Sequence, residues 1–327
     1  MSLRRRNLIC IMIPDKQAIE AAYQRIAEHV IRTPVLRSSA LDELTGCKLY
    51  FKCENLQVVG AFKARGAINA ALSLSPDARQ KGLAAHSSGN HAQAVARASK
   101  ILGIKAYIVM PNNSSAIKRK GVEELGGEIF LCEPNQTARE ETVKDIIKRT
   151  GATEIHPFNN YDVIAGQATV SLELLEQVRD LDVVVAPVGG GGLLSGTALT
   201  VKYFSPGAYV IGAEPAGADD AFRSMQSGKI EPTQNNSIAD GLLTSLGEKT
   251  FNIIQKEVKE IITATDKEII AAMRLVWDRL KIIIEPSAAV PMAVVLNSRE
   301  KFLGKKVGII FSGGNVDLEK ICGMFAA

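Results

Sequence analysis

From Asp15 to Val30 the chain places Ile19, Ala22, Tyr23 and Ile26 at helical spacing on one face and charged side chains on the other, which predicts an amphipathic helix. Beyond it, short runs rich in β-branched residues alternate with longer helical stretches. The runs are Leu49 to Lys52, Leu83 to His86, Ala106 to Met110, Glu128 to Cys132, Val183 to Val188, Tyr209 to Ala213 and Lys306 to Phe311. This is the rhythm of parallel sheets joined by crossover helices. No internal repeat, low-complexity tract or Pro/Gly-rich linker interrupts it, so the pattern by itself places no domain boundary.

With 327 residues, 46% of them hydrophobic, the chain can bury one large core or two medium ones. Its 39 basic and 35 acidic residues are interspersed outside the opening Arg4, Arg5 and Arg6, which argues against a nucleic-acid partner. The apolar run from Leu8 to Ile13 is too brief for a signal-peptide core or a membrane span. It reads as a flexible arm or an expression remnant. Five cysteines (Cys10, Cys47, Cys53, Cys132, Cys322) and four histidines (His29, His86, His91, His156) lack paired ligand spacing, so neither a zinc site nor a disulfide framework is expected. Reduced thiols in a cytoplasmic protein are the expectation.

Three of the strands end in glycine-rich turns that are expected to open a helix: Ser87-Ser88-Gly89-Asn90-His91, Val188 to Leu193, and Ser312-Gly313-Gly314-Asn315. Ligands of open α/β folds collect outside the carboxyl ends of strands, and three such turns together point to a polar, anionic ligand. Gly189, Gly190, Gly191 and Gly192 let the backbone aim several amides into one concavity beside the positive end of the next helix, which makes a phosphate cradle. A plain flexible turn is the structural alternative. A dinucleotide fingerprint is the functional one, but Ser195 stands where its third glycine belongs, and Glu214 at the end of the next strand is its sole support.

Lys63, after the turn around Gly60, sits near a helix start, where a cation opposes the helix dipole. Alone it would be a surface lysine. Together with a phosphate cradle and a Ser-Gly-Asn-His turn it supplies the parts that pyridoxal 5′-phosphate needs: an amine for the aldehyde, an anion hole, and partners for the ring hydroxyl and ring nitrogen.

Glu54-Asn55-Leu56-Gln57, Gly60-Ala61-Phe62-Lys63-Ala64-Arg65-Gly66-Ala67, Ser88-Gly89-Asn90-His91, the four glycines and Ser312-Gly313-Gly314-Asn315 resemble, in order, the serine/threonine dehydratase and serine racemase group of fold-type II pyridoxal-phosphate enzymes, including its hydroxyaspartate-dehydrating branch. The likeness runs from about Ala18 to Ile321. It implies an α/β fold of two open, twisted, mostly parallel sheets with flanking helices, as in the tryptophan synthase β chain. A large cofactor domain of residues 1–75 and 158–327 and a small domain of residues 76–157 are then expected.

The resemblance makes Lys63 the Schiff-base lysine and Phe62 its neighbour at the ring. It assigns Asn90 to the ring hydroxyl, the amides of Gly189 to Leu193 to the phosphate, Ser312 to the ring nitrogen, and Glu285 to the cofactor site. Ser88 matches the serine that exchanges a proton on the far face in racemising members, and the turn Ser87, Ser88, Gly89, Asn90, His91 would take the substrate α-carboxylate. Ser88 and Asn90 also suit plain helix capping. In the metal-dependent branch, Glu214, the Ala218 carbonyl and Asp220 match residues that bind Mg²⁺, Mn²⁺ or Ca²⁺, the oxygen shell that hard cations take. By itself that segment would be a solvated acidic turn. Arg139, expected in a helix from about Thr137, matches an arginine near the substrate pocket; its structural alternative is a surface ion pair with Glu140 or Glu141.

The implied activity is β-elimination from serine, threonine or 3-hydroxyaspartate, giving a 2-oxo acid and ammonia, with racemisation by the lysine/serine pair as the alternative. A homodimer without membrane attachment is implied. Ala61 replaces a common serine, as in the hydroxyaspartate branch. Val58 and Val59 replace the Lys-Thr of the ATP-activated mammalian racemase, so nucleotide activation is not expected. The chain stops soon after the Ser-Gly-Gly-Asn segment, so the regulatory domain of biosynthetic threonine dehydratases is not expected either. The rival readings from the residues alone are a nicotinamide-dependent dehydrogenase and a catalytically silent binding protein.

Overall fold

The computed structural model describes residues 12–87 and 89–326. Ser88 and the opening arm through residue 11, Cys10 included, lie outside the described residues.

Ten strands form in chain order: β1 (Val35–Leu36), β2 (Lys48–Cys53), β3 (Leu83–His86), β4 (Ala106–Pro111), β5 (Gly127–Cys132), β6 (Thr153–Glu154), β7 (Val183–Pro187), β8 (Tyr209–Pro215), β9 (Glu260–Ala264) and β10 (Lys306–Phe311). A six-stranded sheet runs β1-β2-β10-β7-β8-β9 and a four-stranded sheet runs β5-β4-β3-β6. Every pairing is parallel except β1 with β2. Parallel strands covered by helices on both faces read as continuous apolar runs, and β4 and β7 are buried along their whole length.

Two short strands, β1 and β6, and the edge strand β9 are absent from the sequence pattern. A two-residue strand has no periodicity to read, and β9 mixes Glu260 and Thr263 with its apolar positions. The amphipathic helix is shorter than expected: Asp15 caps it by accepting the Ala18 N–H at 2.8 Å, and it ends at Ile26 rather than Val30. Gln57 accounts for part of that difference. Its side-chain oxygen accepts the Ile31 N–H at 2.8 Å and its nitrogen donates to the Ile31 carbonyl at 2.7 Å, holding the chain extended there.

The order β2-β10-β7 is what positions the site. These three strands are adjacent and parallel, with Val307 of β10 in register with Leu49 of β2 and Val183 of β7. Their C-terminal turns therefore emerge side by side, although they lie more than a hundred residues apart in sequence. Phe51 and Phe311 stack at 5.0 Å between ring centres beneath them.

A buried ionic cluster holds the start of the helix Lys63–Ser73. Arg65 donates to both oxygens of Glu54 (2.7 and 2.9 Å) and both oxygens of Glu173 (2.7 and 2.8 Å), and Lys52 donates to Glu173 at 2.6 Å. Two cations balance two anions, so no charge is left uncompensated. Such a cluster gains little over apolar packing but penalises any geometry that separates its members.

Candidate active site

Val59 (φ 56°) and Gly60 (φ 68°) turn the chain after β2 and deliver Lys63 as the first residue of its helix. The turn is stitched to the segment after β10: Phe62 N–H donates to the Ser312 carbonyl at 3.0 Å, and Gly314 N–H to the Gly60 carbonyl at 3.0 Å. Lys63 Nζ donates to the Pro157 carbonyl at 2.9 Å and lies 5.1 Å from the Phe62 ring centre. Desolvation pulls the Lys63 amine down to about 8, against the attraction of the Glu285 carboxylate. A lysine of lowered basicity in a cleft is a candidate for covalent or proton-transfer chemistry.

After β7, the glycine segment leads into the helix Gly192–Phe204. Gly191 has φ 86°, which favours glycine, and a Cβ at Gly190 would come within 2.2 Å of the Phe158 ring. The result is a tight backbone concavity at the positive end of a 13-residue helix, a receptor for an anion.

Both concavity and amine face one cleft of about 1350 Å³, which Asn90, His91, Arg139, Glu285 and Ser312 also line. Ser87 and Gly89 reach it from the end of β3 in the other sheet. Asn90 opens the helix Asn90–Leu102, and its Nδ2 faces both oxygens of Glu285 at 3.1 and 3.2 Å. Burial pushes Glu285 up to about 7, an effect the bond from Asn90 opposes. His91 is buried, with Nε2 2.6 Å from the Ile155 carbonyl, while its Nδ1 has no hydrogen-bond partner among the described residues.

Arg139 lies in the helix Gln136–Thr150, in the cleft wall. The structural alternative, a surface ion pair with Glu140 or Glu141, does not form: among the described residues Arg139 has no salt bridge, while Glu140 lies 3.9 Å from Lys144. Two features are plain in the fold and were not read from the sequence. The Pro157 carbonyl that receives Lys63 is a backbone atom with no side-chain signature. Asn315, to which the resemblance gives no role, reaches both Val59 and Asn90 with its amide.

The family described as pyridoxal-phosphate dependent enzyme matches residues 26–313. The chain belongs to that family. Within it, the chain is similar to serine racemase of Dictyostelium discoideum, 49% identical over 93% of this chain and 95% of that one. It is similar to beta-hydroxyaspartate dehydratase of Paracoccus denitrificans, 48% identical over 94% and 98%. Among solved structures, the threonine deaminase of T.th. is similar with a TM-score of 0.88 at 43% identity, covering 93% of this chain and 99% of that one. The architecture is that of fold-type II pyridoxal-phosphate enzymes, and the nicotinamide alternative falls away.

Pyridoxal phosphate fits this family member's cleft on physical grounds: the backbone concavity accepts an anion, and a poorly basic amine stands in the same cleft. The acidic segment is separate. Glu214, next to last in β8, accepts the N–H groups of Ala221 (2.7 Å) and Phe222 (2.8 Å) with its two oxygens, and the 3-10 turn Ala216–Ala218 leads on to Asp220. Asp220 is fully buried and neither carboxylate oxygen has a well-aligned donor, although Thr233 lies near enough to favour the charged form somewhat. Burial pushes Glu214 up to about 8 and Asp220 up to about 6. A solvated turn, the structural alternative, does not describe two buried carboxylates. Among the described residues no cluster of three or more His, Cys, Asp or Glu side chains is set to hold a metal. Two carboxylates with a backbone carbonyl fit a hard cation whose shell water completes. No helix among the described residues is long and apolar enough to cross a membrane.

Proposed function

We propose that this enzyme eliminates water from a small β-hydroxy amino acid and releases ammonia and a 2-oxo acid, with 3-hydroxyaspartate as its preferred substrate. Arg139 carries the substrate choice. A guanidinium in the cleft wall that forms no ion pair among the described residues can take a β-carboxylate in a two-pronged bond, and serine and threonine have nothing to offer it. The likeness to beta-hydroxyaspartate dehydratase supports the same reading.

Bound pyridoxal phosphate supplies an aldehyde for the amine and an electron sink that acidifies the substrate α-carbon. Lys63 would carry it, Phe62 would flank the ring, the amides of Gly189 to Leu193 would hold the phosphate, Asn90 and Glu285 would serve the ring hydroxyl, and Ser312 would offer the ring nitrogen a neutral hydroxyl. The turn from Ser87 to His91 would receive the α-carboxylate. With the substrate in place, Lys63 would take the α-proton: burial lowers its affinity for protons, so that near neutral pH a usable fraction of the amine is unprotonated. The β-hydroxyl leaves as water; hydrolysis of the released enamine takes up one water and frees ammonia. Racemisation of serine is the second reading. It is supported by the 49% identical racemase relative and requires Ser88 to return the proton from the opposite face.

Glu214, the Ala218 carbonyl and Asp220 would hold Mg²⁺, Mn²⁺ or Ca²⁺, supported by the buried oxygens of Asp220, to which no well-aligned donor points among the described residues. The same reading treats residues 76–157, which contain the four-stranded sheet, as a small domain beside the rest, and the assembly as a homodimer. It places the enzyme in the cytoplasm, supported by Cys47, Cys53, Cys132 and Cys322 standing free.

The test is a substrate panel scored for 2-oxo acid and ammonia, run with borohydride reduction and peptide mapping. Fastest turnover on 3-hydroxyaspartate with label at Lys63 is the expected result. Turnover without ammonia, or label elsewhere, would overturn it.

A further inference from the structure

We infer that Asn315 is a positioning residue whose side-chain amide ties the Lys63 turn to Asn90 and so fixes the donor that Asn90 presents to the cofactor. The inference rests on the proposed roles of Lys63 and Asn90.

Asn315 Nδ2 donates to the Val59 carbonyl at 2.7 Å and to Asn90 Oδ1 at 2.9 Å. A carboxamide nitrogen carries two hydrogens, so these bonds use both. The polarity of the chain of bonds is set at its ends. Val59 offers a carbonyl, which accepts only, and at the far end the Glu285 carboxylate faces Asn90 Nδ2 at 3.1 and 3.2 Å. Asn90 must therefore turn its oxygen toward Asn315. Reversing the Asn315 amide would set its oxygen against two acceptor oxygens, so the network assigns both amides. In this arrangement Asn90 can redirect one N–H from Glu285 to a ring hydroxyl, and its oxygen stays engaged.

The other end of the link is equally particular. Val59, a β-branched residue, is held at φ 56°, where such side chains are rare and strained. It lies four residues before Lys63. The bond from Asn315 to its carbonyl adds to the stitching between Phe62 and Ser312 and between Gly314 and Gly60, and the Glu285 N–H donates to the Gly313 carbonyl at 3.0 Å. One short segment thus touches the lysine turn, the Asn90 helix start and Glu285. Asn315 itself is exposed on the cleft rim, so its replacement leaves the core intact.

The test uses Asn315→Ala and Asn315→Leu, the second retaining the branched shape without donors. Cofactor-free wild type and variants are titrated with pyridoxal phosphate and melted without it. Both variants are expected to raise the cofactor dissociation constant about tenfold, the scale of one or two lost hydrogen bonds. The cofactor-free melting temperature should stay within about 2 °C of wild type. In an Asn90→Ala background, Asn315→Leu should weaken binding by less than it does alone, because the part of its effect that passes through Asn90 is already lost. Wild-type affinity in Asn315→Leu, a parallel loss of cofactor-free stability, or additive losses with Asn90→Ala would each overturn the role. Borohydride label on a lysine other than Lys63 in wild type would overturn the site reading beneath it, whatever the variants do.

Discussion

Lys63 Nζ donates to the carbonyl oxygen of Pro157 across 2.9 Å, and the next residue, Phe158, packs against the glycine segment at Gly190, in the cleft that the amine also lines. Lys63→Ala is expected to lower ammonia release at least about 10³-fold, as loss of a covalent catalyst does. Steady-state ammonia assays on purified variant and wild type check this. Retained turnover would remove Lys63 from the chemistry.

Arg139→Ala should lower catalytic efficiency on 3-hydroxyaspartate about 10- to 100-fold, the scale of a charge-assisted pair, and leave threonine within about twofold. The measurement is the ratio of kcat/KM on the two substrates. An unchanged ratio would leave serine and threonine as the better assignment.

Without metal, Glu214 is held neutral well above its ordinary range, with its pKa rising from 4.5 to about 8 on folding. Over that interval the folded chain binds more protons than the unfolded one, so stability falls as pH rises through it. Chelated protein should lose melting temperature from pH 5 toward pH 8. Mg²⁺, Mn²⁺ or Ca²⁺ should abolish the loss, adding about 2.7 kcal/mol at a hundredfold excess over Kd. If chelation and Asp220→Ala both leave the melting curve unchanged, no cation binds there.

His156 Nδ1 accepts the N–H groups of Phe158 (3.3 Å) and Asn159 (2.9 Å), a role the ring fills only while that nitrogen is unprotonated. Burial, with help from His86 and Lys63, lowers its pKa from 6.5 to about 4. The folded state binds fewer protons in that window, so this contribution is present above pH 6.5 and is lost as pH falls toward 4. His156→Asn retains an acceptor that cannot titrate and should flatten the acid limb of a metal-loaded melting profile. An acid limb as steep as that of wild type would assign it to other groups.

The seven strands read from the sequence all form, to within two residues at each end; the central ones are legible because a strand buried on both faces must be apolar, and the edge strand β5, which has no fully buried residue, because Ile129, Phe130 and Leu131 stand between turn residues. Helix ends were less legible: the helix read to Val30 stops at Ile26, where Gln57, 26 residues beyond Ile31, takes over the backbone bonds. Of the three glycine turns, the one after β10 does not open a helix directly. The final helix begins at Leu318, after Ser312 to Asp317 have passed along the cleft.

By itself the sequence determined the chemistry available: an amine at Lys63, an anion-receiving glycine segment, acids at Glu214 and Asp220, and the alternation that requires parallel sheets. These are local properties, carried by residue type and short spacing. Tertiary structure alone decided that β10 lies between β2 and β7, which sets the lysine, serine and glycine turns in one cleft. It also decided the partners: Pro157 for Lys63, Asn315 for Asn90, and no ion pair for Arg139 among the described residues. Strand order and desolvation come from packing between distant segments, and those are the quantities that set which groups meet and how readily each holds a proton.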